Sequence, residues 1–180
     1  RSTPLQTLFP YTTLFRSNEY EEKKRELSEW ENHKEPEPPR SEAVLKNRKR
    51  LKEMNIPYLE FYKVIEFGHE LDKKACDRLE EALFYMGILD ALVIEESYRD
   101  QVLSMSEGCH DHYLFMQDHR VQKSILDVLE LNDSVNDIFF NQRITNILGN
   151  IGYDGEGMTS IAADGTYRHG VITGTVTGEY

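Results

Sequence analysis

The chain has 180 residues, with 32 acidic against 21 basic side chains and a formal charge of −11. That balance excludes a surface that grips nucleic acid broadly, because phosphate contact depends on Lys and Arg neutralising the backbone. No apolar run approaches the roughly 20 residues of a membrane span, so a cytoplasmic chain with no membrane partner is expected.

Residues 7–17 read TLFPYTTLFRS, a string without acids that gives way abruptly to NEYEEKKRELSEWE. Pro10, Tyr11, Thr12 and Thr13 interrupt its apolar residues and Arg16 follows them, so it lacks the basic start and unbroken core of a secretion signal. The string resembles the in-frame translation of a common short-read sequencing adapter, and Arg1-Ser2 repeats the last two codons. Residues 1–17 are therefore read as a non-native, adapter-derived segment and left out of fold reasoning. The chain begins without Met, and its natural gene is expected to continue upstream. Charge divides unevenly beyond that point: residues 18–53 hold 10 acids and 10 bases, and residues 54–180 hold 22 acids and 9 bases. The second part is long enough for one modest core.

Residues 18–35 predict a charged helix, with Tyr20, Leu27 and Trp30 on one heptad seam, either the end of a coiled-coil arm or a lone solvated helix. EPEPPR, residues 35–40, breaks it because proline lacks the amide donor. Ser41 is placed to cap a second helix to about Met54, with Val44, Leu45, Leu51 and Met54 as its apolar stripe. NIPYLEFYKVIEF, residues 55–67, predicts an extended, partly or fully buried strand. Asp72 caps a helix to Met86, with Leu79, Leu83 and Met86 on one face, Cys76 packed beside them and Gly87 as its left-handed stop. ILDALVI, residues 88–94, predicts a short buried strand, and this strand, helix, strand order suggests a crossover unit.

Further on, residues 112–116 predict a strand and residues 121–131 a helix around Ile125, Val128 and Leu129. Another helix is expected from about Ser134 to Leu148, capped by Asp133 or Ser134 and ended by Gly149. The last 25 residues are β-rich, and Asp164-Gly165 between two extended runs is a hairpin signal, since both central turn residues would take positive φ. The expected fold class is α+β: a globular domain over 55–180, expected to be truncated at its C-terminus, preceded by a helical arm end over 18–54 with a Pro-rich break at 35–40.

CHDHYLFMQDH places His110 and His112 on one face of a strand, with Asp118 or His119 completing a metal site, but no recognised ligand spacing occurs and polar loop residues explain the string more simply. Cys76 and Cys109 lie far apart with no C-x-x-C motif. One disulfide between them is open, although reduced thiols fit a cytosolic chain better. GNIGYDGEG, residues 149–157, follows a helix and lacks the Lys-Ser/Thr of a phosphate loop, so a flexible turn is the simpler reading. KNRKRLK, residues 46–52, is the one dense basic run. Glu42–Lys46 and Lys49–Glu53 pairing makes a solvated face the simpler account, with nucleic-acid contact through Lys46, Arg48, Lys49, Arg50 and Lys52 as the functional one.

Three strings taken together, RSEAVLKNRKRLKEMNIPYLEFYKVIEF, DRLEEALFYMGILDALV and ADGTYRHGVITG, resemble the central region of the SMC-like JetC subunits of bacterial Wadjet plasmid-defence systems, relatives of MukB and MksB condensins. The resemblance implies a small mixed α/β hinge at the far end of coiled-coil arms, where two copies dimerise. The hairpin at Asp164 and Gly165 is then a dimer contact. It implies no catalytic residue, metal or cofactor in this chain, because the family's ATP and Mg site lies in a head built from distant termini. The parent would be an ABC-type ATPase working with kleisin and KITE subunits on DNA, in plasmid defence or chromosome maintenance. The alternative is a small cytosolic metal-dependent enzyme domain using His110, His112 and His119.

Overall fold

In the computed structural model of the chain, residues 24–26, 37–105, 110–118, 120–133 and 135–179 are described. The helix expected over 18–35 therefore lies outside the described residues, except 24–26, which are helical. Residues 37–40 are non-helical, as prolines there require. Cys109, His119 and Ser134 also lie outside the described residues.

Helix α1 (Glu42–Glu53) begins where Ser41 Oγ accepts from the Val44 amide at 3.3 Å. Its inner face differs from the predicted stripe. Leu51 is buried, but Leu45 and Met54 are exposed, and Asn47 and Arg48 are the other residues turned inward. The segment after it is not one strand. It splits into β1 (Tyr58–Glu60), a single turn α2 (Phe61–Val64) and β2 (Ile65–Phe67). The turn lets the amides of Phe61 and Tyr62 reach Ala91 O and Leu89 O, and it sends the two halves into different sheets. Both rings are fully buried.

Helix α3 (Lys73–Tyr85) matches its sequence signals. Asp72 Oδ1 accepts from the Ala75 amide at 2.7 Å, and Gly87 follows with φ +76. Cys76, Leu79, Leu83 and Met86 are buried along it. Strand β3 (Leu92–Ile94) is wholly buried. It pairs antiparallel with β1 and parallel with β4 (Tyr113–Leu114). β2 instead pairs antiparallel with β5 (Leu129–Leu131). The predicted crossover is thus corrected, because the strands flanking α3 belong to separate sheets. A short helix α4 (Arg99–Ser104) lies between β3 and β4.

The helix expected over 121–131 is also corrected. Residues Ile125–Asp127 make one 3₁₀ turn, capped by Ser124, and β5 follows. Apolar spacing over so short a run does not separate a strand from a helix. Helix α5 (Ile138–Leu148) starts later than expected, with Asp137 as its cap and Gly149 at its end. A four-stranded sheet closes the chain: β6 (Gly152–Tyr153), β7 (Thr159–Ile161), β8 (Thr166–His169) and β9 (Ile172–Thr175), paired in that order.

The fold is α+β. Its larger core joins Phe61, Tyr62 and Ile65 to the inner face of α3, to Ile144 and Leu148 of α5, to Ile161 of the last sheet and to Val176 just after it. A smaller cluster unites Leu51 and Ile56 with Leu92, Ile94 and Val102, so α1 shares a core with the residues that follow it. Among the described residues no helix is long and apolar enough to cross a membrane.

Candidate functional site

The basic run of α1 separates into two faces. Lys46, Lys49, Arg50 and Lys52 lie on the exposed side, and Lys46 stands 3.5 Å from Glu42. Arg48 does not share that surface. Its Nε and Nη2 donate to Asp111 at 3.0 Å each, its Nη1 to Asp90 Oδ1 at 3.1 Å and its Nη2 also to Asp90 O at 2.7 Å. Its reading as a phosphate contact is therefore corrected: a guanidinium that is 6% exposed and surrounded by carboxylates has no face left for a phosphate.

Arg40, which ends the proline-rich break, completes the joint. It grips Asp90 bidentately, with Nε and Nη2 at 2.9 and 2.8 Å. Asn47 Nδ2 adds hydrogen bonds to Asp111 Oδ2 and to the Tyr113 hydroxyl. Burial works against both cations, but hydrogen bonds and attraction to Asp90 and Asp111 outweigh it and hold each guanidinium above its ordinary pKa. Burial in turn pushes the Tyr62 phenol well up, despite the nearby Arg40 charge. Two cations and two carboxylates thus fasten Arg40 and helix α1 to the approach to β3 and the approach to β4. Asp90 and Arg40 escaped the sequence reading. A signal existed, since a carboxylate inside the apolar run ILDALVI needs a buried cation.

Of the three histidines weighed as metal ligands, only His110 and His112 are among the described residues. His110 is exposed, and His112 Nδ1 donates to Gly87 O at 3.0 Å. Among the described residues no group of three or more His, Cys, Asp or Glu side chains is placed to hold a metal ion. Cys76 is buried, and burial with help from Asp77, Asp72 and Glu80 pushes its thiol up to about 11, which makes it a poor nucleophile.

Asp164 and Gly165 do form a hairpin turn. The Thr166 amide donates to Asp164 Oδ1 at 2.8 Å and the Gly165 amide to Ala162 O at 3.0 Å. Only Gly165 takes positive φ, at +96, so the connection is a longer turn ending in a left-handed residue, not the two-residue turn expected. The tip of the next hairpin went unread. Gly170 (φ +61) and Val171 join β8 to β9, and Val171 is 98% exposed. Ile172 beside it and Met158 on the preceding loop are also exposed. Next to this tip a groove of about 1380 Å³ runs past Leu103, Phe115, Lys123, Met158 and His169.

No family model, curated protein or solved structure matches the chain.

Proposed function

We propose that the chain is a hinge-region fragment of an SMC-like, DNA-organising ATPase of the Wadjet type, dimerising in the cytoplasm and carrying no catalytic site of its own. Support comes from the order of the three resembling strings and from a helical segment joined by buried ion pairs and a shared core to a small α+β unit. The observation that carries the reading is the bare apolar tip of the β8–β9 hairpin, where Val171 is 98% exposed. A residue of that kind, beside exposed Ile172 and Met158, marks a surface made to be covered.

ATP and Mg belong to the head of the parent protein, where kleisin and KITE subunits would also assemble. DNA contact, in this reading, falls to Lys46, Lys49, Arg50 and Lys52 on the outer face of α1. Sedimentation equilibrium across a concentration series tests the proposal. A discrete monomer–dimer equilibrium is expected, and a strict monomer at high concentration would overturn it.

A further inference from the structure

The β8–β9 tip and the groove beside it lie on one continuous surface. The Gly170 amide donates to Met158 O at 2.7 Å, so the tip is tied directly to a residue of the groove wall. Arg168 stiffens the same spot, its Nε donating to Gly170 O at 3.0 Å and its Nη2 lying 3.5 Å from Met158 Sδ. His169 at the end of β8 lines the groove itself. An apolar projection and an apolar hollow are therefore held side by side. This is the arrangement a two-fold interface requires, because the same patch must supply both the knob and the hole.

Charge and edge chemistry favour the same occupant. Residues 166–175 contain no acid, although the chain carries −11 overall, and they include Arg168 and His169. The groove holds Arg99 and Lys123 together with Glu156, while its Asp111 already pairs with Arg48. An acidic chain approaching a copy of itself meets least repulsion here. Among the described residues β9 is an edge strand, paired only with β8. It carries neither the Lys nor the Pro that guard exposed edges elsewhere.

We infer that a second copy of this chain covers this surface, the Val171–Ile172 tip of each copy seated in the groove of the other. The inference rests on the dimer reading above and names its interface. Two variants of the full 180-residue chain test it. Val171→Asp charges the knob and Leu103→Asp charges the hole. Both positions are solvent-exposed, at 98% and 51%, so each chain should keep its fold, and Leu103→Asn serves as a milder second variant. Each variant alone is expected to weaken dimerisation at least tenfold in sedimentation equilibrium, with an unchanged circular dichroism spectrum. Mixing the two variants should restore part of the affinity, since the mixed dimer regains one intact knob and hole.

A wild-type chain that stays monomeric would remove the dimer reading and this interface together. A wild-type dimer that both variants leave unchanged would overturn the interface alone. Loss of the dimer in each variant without recovery on mixing would also overturn it, because the contact would not be reciprocal. Open-ended aggregation insensitive to both variants counts against it in the same way.

Discussion

Arg48 shows how far a single side chain can move from its sequence context. It sits in a run of cations, yet it is the one among them that meets two carboxylates in the interior. Removing one partner of a buried ion pair leaves the others uncompensated, a loss of about 3–5 kcal/mol. Arg48→Ala should fall at the lower end, about 3 kcal/mol, because Arg40 still holds Asp90 and Asn47 still holds Asp111. Lys49→Ala on the exposed face should change stability by less than about 0.5 kcal/mol. Urea denaturation of the two variants measures the contrast, and equal losses would contradict the burial of Arg48. Glu80 poses a different residue-scale question. It is buried on α3, and burial, reinforced by Asp77 and opposed by Lys73, pushes its carboxyl up to about 9. The folded chain therefore holds a proton that the unfolded chain releases near 4.5. Stability should fall as pH rises from about 4.5 to about 9, because the unfolded state binds fewer protons throughout that window. Glu80→Gln should flatten this slope, with the largest gain in stability at the alkaline end and little change below pH 4.5. Denaturation midpoints of wild type and variant that run parallel across the window would refute the assignment.

Elements with both ends marked were legible, and elements marked only by apolar content were not. Asp72 and Gly87 bracket α3, and each signal acts within one turn of its own position, so no tertiary contact is needed to read it. Asp72→Ala should remove that cap and lower stability by about 1 kcal/mol, which a thermal scan would register. The stretch from Asn55 to Phe67 has no such punctuation. Its β-branched and aromatic residues announce burial, but only the amides of Phe61 and Tyr62 bonding to Ala91 O and Leu89 O impose the turn that divides it. Residues 121–131 failed for the same reason, since pairing of β5 with β2 is set by a strand more than 60 positions away. The candidate joint was less than half legible: Arg48 stands in a conspicuous basic run, whereas Arg40 does not, and their partners Asp90 and Asp111 come from distant segments. The hairpins repeat the lesson at finer scale. Asp164-Gly165 reads as a turn, but its type follows from Gly165, where a Cβ would collide with Val176 O. Gly165→Ala should therefore cost more than the roughly 1 kcal/mol expected from backbone conformation alone. Gly170 has positive φ too but open space around it, so Gly170→Asn should be nearly neutral.

Across the whole molecule, charge sets two opposing expectations for how association responds to salt. The chain carries −11, so bringing two copies together works against mutual repulsion between their acidic surfaces. Salt screens that repulsion over a Debye length that shrinks from roughly 14 Å at 0.05 M to about 8 Å at 0.15 M. Dimerisation through an apolar tip and groove should therefore tighten modestly as salt rises over this range. DNA contact through Lys46, Lys49, Arg50 and Lys52 must do the reverse, because each phosphate neutralised releases a counterion that added salt drives back. Four such cations give a log–log slope of about −3 to −4 at most, and Glu42 beside Lys46 reduces it further. Sedimentation equilibrium and DNA titration over the same salt series separate the two behaviours. A dimer that dissociates with salt would mean that ion pairs, not the Val171 tip, hold it. DNA binding that persists unchanged would remove the outer face of α1 from the site. Charge reversal at Lys49 and Lys52 completes the comparison: it should abolish the salt-sensitive DNA component and leave the dimer constant where it was.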